Sequence, residues 1–74
     1  MIILNVNENK AYNMDNMISI GTAGKDLNCK TVGSAEKIVI AKFTSENIAE
    51  WTLRDILSVY SSEGKDLYCI YDVD

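Results

Sequence analysis

Two cysteines, Cys29 and Cys69, eleven carboxylates and no histidine are the groups in this 74-residue chain that could carry chemistry. Without an imidazole there is no base to deprotonate a serine or cysteine nucleophile, so the common nucleophile–base pairs are excluded. Two thiols far apart in sequence do not make a metal site, and no metal or cofactor is expected. Cys69, with Tyr68 and Tyr71 around it in an acidic C-terminal segment, lacks the positive surroundings that activate a thiol. The carboxylate pairs Asp15 with Asp26 and Asp72 with Asp74 read as solvated turn and terminal charges. Glu46, Glu50 and Asp55 lie on or beside the polar face of a helix, where solvated charge is the ordinary arrangement. The chain reads as a non-enzyme.

Two short motifs invite a chemical reading. Gly21-Thr-Ala-Gly-Lys-Asp26 has the composition of a phosphate-binding loop, but that loop requires four residues between its glycines and Ser or Thr after the lysine. Here there are two residues and an aspartate, so a hairpin turn between two strands is expected. Gly24-Lys-Asp-Leu-Asn-Cys29 recurs as Gly64-Lys-Asp-Leu-Tyr-Cys69, too short for a structural repeat. Both copies read as a turn feeding a strand whose cysteine points into the core.

Charge narrows the partners. Seven Lys and Arg stand against eleven Asp and Glu, a formal net of −4, with the lysines scattered singly and Arg54 the only arginine. Nucleic-acid binding draws its affinity from clustered cations on phosphates, so direct binding is disfavoured. An acidic surface keeps a small protein soluble and suits a basic partner. The apolar start Met1-Ile-Ile-Leu4 breaks at Asn5, too short for the apolar core of a secretion signal, and no run approaches membrane-spanning length. A cytoplasmic protein with two reduced, buried thiols is expected.

The elements follow from apolar periodicity and turn residues. With no proline and no linker-like tract, residues 1–74 read as one domain, in the size range where a single core is only marginally sufficient. Alternation predicts strands over 1–6, 11–14, 17–22, 27–32 and 37–43, with turns at Asn7 to Lys10, Asp15-Asn16, Ala23 to Asp26 and Gly33 to Glu36. A helix over 45–61 follows, with Thr44 or Ser45 as its cap and Glu46 in the first turn. Gly64 is available for a left-handed residue after it, and 66–73 is a last strand. The expected architecture is α+β: a curved antiparallel sheet of four or five strands with the helix packed on one face.

The helix is too apolar for that role alone. At about 100° per residue, Ala49, Leu53, Ile56, Leu57 and Tyr60 make one face, of which Ala49, Leu53, Ile56 and Tyr60 are predicted to pack on Ile18, Ile20, Ile38 and Ile40. Ile48 and Val59 widen the face, and Trp51 lies more than a third of a turn from its centre. The last strand, apolar on both sides at Tyr68 and Tyr71, is also suited to an interface. Ile48, Trp51, Asp55, Val59, Tyr68 and Tyr71 are therefore the expected contact residues, for a partner or for a homo-oligomer, most simply a dimer.

Tyr12-Asn-Met-Asp-Asn-Met-Ile-Ser-Ile20, Lys37-Ile-Val-Ile-Ala-Lys-Phe-Thr-Ser-Glu46, Ala49-x-x-x-Leu53-x-x-Ile56, Tyr60 and the segment Tyr68 to Tyr71 together resemble a set of small proteins of low-GC Gram-positive bacteria and their phages. Those proteins show an "LDNI-x-x-I" strand, a strand ending in "y-x-SEE", and one helix of the form "A-x-x-x-L-x-x-I". Met14 stands where leucine is usual, and Asn47 replaces the second acidic residue of the helix start. The resemblance implies a phage or mobile-element setting, where very small acidic proteins often inhibit host defence, and carries over no functional residue. The expectation is a non-enzymatic protein that blocks a bacterial defence system by occluding a defence protein. The alternatives are an oligomeric sponge for a nucleotide immune signal and a structural or regulatory accessory homodimer.

Overall fold

A computed structural model describes residues 1–71, apart from the Glu63 side chain, and shows an α+β fold of six strands and one helix. The strands are β1 (Ile2–Asn5), β2 (Lys10–Asn13), β3 (Met17–Ala23), β4 (Asp26–Thr31), β5 (Ile38–Lys42) and β6 (Leu67–Ile70); the helix α1 (Glu46–Ser58) lies between β5 and β6. They do not make one antiparallel sheet of four or five strands. Two three-stranded sheets form, one in the order β2-β1-β6 and one in the order β3-β4-β5. The second is an antiparallel meander, as the turn residues predict. The first joins the two ends of the chain: β6 returns after the helix and pairs parallel with β1, Ile3 beside Tyr68 and Asn5 beside Ile70. The expected continuation of the last strand to Val73, and the Asp72 and Asp74 carboxylates, lie outside the described residues.

Local chemistry accounts for the joints. Gly24 opens the two-residue turn between β3 and β4 with φ 62°, a left-handed conformation that costs an L side chain but not glycine. The loop between β1 and β2 contains Asn9 at φ 55°, and asparagine is among the few side chains that tolerate that region. Ser45 caps α1, its Oγ accepting the Ile48 N–H at 3.2 Å. After Ser58 the winding widens into a π-turn, Val59–Glu63, which ends at Gly64 with φ 61°.

The core lies between the sheets and the helix. Ile3, Leu27, Cys29, Ile40, Ala41, Phe43, Ala49, Ile56 and Ile70 are buried, with Leu53, Ile20, Ile38 and Tyr68 packed at its rim. Three polar residues, Asn5, Asn28 and Thr52, are buried with them. Asn5 is fully buried; its Nδ2 donates to the Ile40 carbonyl at 2.9 Å, and its Oδ1 accepts the Glu8 N–H at 3.2 Å. The first bond ties β1 of one sheet to β5 of the other. Thr52 is buried on α1 between the core face and the flank.

Three expected core residues are on the surface. Ile18 is 64% exposed because the register between β3 and β4 shifts between Met17 and Ser19; the extra residue of such a bulge is unpaired and alternation restarts beyond it. Tyr60 is 47% exposed; it lies past the end of α1, in the π-turn. Leu57, also placed on the core face by periodicity, is exposed.

Candidate binding groove beside the last strand

Residues 48, 52, 55 and 59 follow one another along α1 at i, i+4, i+7 and i+11, so they share a stripe next to the buried one. Trp51 stands at the outer border of that stripe. On the other side lies β6, where Leu67 is exposed, Tyr68 and Cys69 are half-buried and Ile70 is buried. Between the two is an open groove of about 310 Å³. Its walls are Ile48, Trp51 and Thr52 from α1, the consecutive residues Tyr68 to Tyr71, and Phe43 at the end of β5.

One bond crosses between the walls: the Tyr68 hydroxyl donates to the Asp55 carboxylate at 2.5 Å. Burial, and then the hydrogen bond to Asp55, push the Tyr68 phenol well above its ordinary value, because an anion there would lose solvent and face the carboxylate. The tyrosine is thus held neutral as a donor. A hydrogen bond with the neighbouring Cys69 raises the Tyr71 phenol above its ordinary value. Cys29 lies elsewhere, in the core, where burial pushes its thiol up. Both cysteines are free, and Cys69 is half-buried where full burial was expected.

The six residues singled out by sequence divide accordingly. Ile48, Trp51, Tyr68 and Tyr71 line the groove, and Asp55 fixes one of them by its hydrogen bond. Val59 is half-buried at the start of the π-turn, outside the lining. Phe43, Thr52, Cys69 and Ile70, which also line the groove, were missed. Phe43 ends a strand that reads as wholly core, and a threonine on a helix flank carries no local signal of burial.

Chemically the groove is apolar and aromatic. Trp51 is 65%, Tyr71 61% and Ile48 45% exposed, and none of the lining residues carries a charge. Its polar atoms are hydroxyls, a thiol and main-chain groups. Such a surface can bury apolar and aromatic groups and accept main-chain hydrogen bonds. Among the described residues no three of Cys, Asp and Glu come together in a way that could hold a metal ion, and no helix is long and apolar enough to cross a membrane. No family model, curated protein or solved structure matches the chain.

Proposed function

We propose that this chain is a non-catalytic, cytoplasmic binding protein of phage or mobile-element origin. It acts as a homo-oligomer that blocks a bacterial defence system by occluding a surface of a defence protein. The observation that carries the reading is the groove: Trp51, Tyr71 and Ile48 stand together in solvent beside a strand and a helix that hold them in place. Tryptophan and tyrosine are the residues that concentrate binding energy in protein interfaces. The net charge of −4 supports a basic partner, such as a nucleic-acid-binding component of a defence system.

Sequestration of a nucleotide immune signal is the second reading, and the observation in its favour is the aromatic lining, on which a base could stack. The uncharged lining counts against it, since phosphates call for convergent lysines or arginines. The third, an accessory homodimer without a foreign partner, is what remains if neither is found. The test is capture from host lysate with the parent protein and Trp51→Ala in parallel, followed by mass spectrometry of proteins and of co-purified small molecules. A defence protein held by the parent and lost by the variant supports the leading reading. A nucleotide without a protein supports the second, and recovery of the bait alone overturns both.

A further inference from the structure

The free side of β6 runs along the groove, and it is built for a further strand. Ile2 N–H donates to the Asp66 carbonyl at 2.7 Å and Val6 N–H to the Ile70 carbonyl at 3.1 Å. A parallel ladder uses alternate residues of each strand, so the main-chain groups of 66, 68 and 70 point at β1. Those of Leu67, Cys69 and Tyr71 therefore point the other way. Among the described residues β1 is the one strand beside β6.

The other three sheet edges carry devices that discourage pairing, and β6 does not. Proteins blunt exposed edges with lysines, bulges and covering groups. β2 opens with the exposed Lys10. β3 is interrupted by its bulge. β5 ends in the exposed Lys42, and its Ile40 carbonyl is already taken by Asn5. Leu67 to Tyr71 is an uncharged run with an unbroken register against β1.

We propose that this edge pairs with β6 of a second copy, antiparallel about a two-fold axis, joining two three-stranded sheets into one of six strands. The occupant is a second copy because an antiparallel edge contact is self-complementary. The paired stretch Leu67 to Tyr71 itself carries no charge, so no like charges stand opposite each other within it. An axis perpendicular to the sheet keeps both helices on the same face. The two grooves, each open along β6, then become one cleft with a Trp51 on either side, and each copy completes the groove of the other. This deepens the reading of the chain as an assembling binding protein by naming the contact through which it assembles.

The test combines light scattering over a range of concentrations with hydrogen exchange of the unmodified protein. A dimer mass is expected, with the Leu67, Cys69 and Tyr71 amides exchanging more slowly as concentration rises. Leu67→Pro removes an outward N–H and leaves the β1 ladder intact; it is expected to yield a folded monomer. A monomer mass at high micromolar concentration overturns the proposal. So does a dimer in which those three amides exchange at a concentration-independent rate, or a Leu67→Pro protein that is still dimeric. If Leu67→Pro fails to fold, the exchange of the parent decides. A monomer that still captures a defence protein overturns this contact alone; a β6-paired dimer that captures nothing overturns the occlusion reading alone.

Discussion

Single side chains separate holding the fold from meeting a partner. Trp51 is mostly in solvent, so Trp51→Ala is expected to leave the thermal midpoint nearly unchanged while weakening partner binding by about 2 kcal/mol or more. Calorimetric unfolding and a binding titration on the same preparation check this, and a large fall in stability with binding retained would make Trp51 structural. Tyr68 is the converse case. Removing its hydroxyl in Tyr68→Phe is expected to cost roughly 1–2 kcal/mol, the range for a partly exposed hydrogen bond to a charged group, measured by urea denaturation. The sign of the pH effect follows from the raised phenol. Folded and unfolded chains are both neutral at this position below the ordinary value of 10.0, so its contribution is fully present there. It is lost as pH rises through the folded-state value, because the unfolded chain ionises first. The parent should therefore lose stability as pH rises from 10.0 towards the folded-state value, and Tyr68→Phe should lose less. Asn5→Ala removes the tie to the Ile40 carbonyl and is expected to cost about 1–3 kcal/mol by leaving a buried acceptor without its donor.

At the scale of elements, α1 has two jobs on adjacent faces. Ala49 and Ile56 are fully buried, whereas Leu53 sits at the rim. Ile56→Ala is expected to cost roughly 2–5 kcal/mol through the cavity it leaves. Leu53→Ala is expected to cost less, because solvent already reaches the site and the gap can relax; chemical denaturation of the two variants checks the order. Periodicity alone ranked Leu53 with the core because it reports direction around the helix axis, not how far the opposing sheet extends. Tyr60 and Ile18 were ranked with the core in the same way: Tyr60 lies past the end of α1 in the π-turn, and Ile18 is displaced by a bulge, and no pattern of apolar residues announces either irregularity.

For the molecule as a whole, the chain's ends are the decisive feature. Pairing β6 with β1 closes the fold, places the last strand at an edge and creates the groove beside it. If two such edges pair, unfolding becomes coupled to dissociation, and the thermal midpoint is expected to rise with protein concentration. Scanning calorimetry at two concentrations tenfold apart checks this, and a constant midpoint is the contrary result.

The sequence by itself determined the elements and their punctuation: the capped helix, the meander of β3 to β5, the glycines at left-handed turns, and an apolar excess on α1 and the last strand. These are legible because they depend on neighbours a few residues away. Only the tertiary structure decided the division into two sheets, the parallel β1–β6 pair, the buried Asn5 and the meeting of Trp51 with Tyr68 and Tyr71. The repeated hexapeptide shows why. Gly24 and Gly64 adopt nearly the same φ, 62° and 61°, yet Leu27 is 0% exposed and Leu67 is 51% exposed. Local sequence sets the backbone conformation in both. Burial is set by what lies across and beside the strand, and β4 is central in its sheet while β6 is an edge; that difference is made by contacts between residues far apart in the chain, which no local pattern encodes.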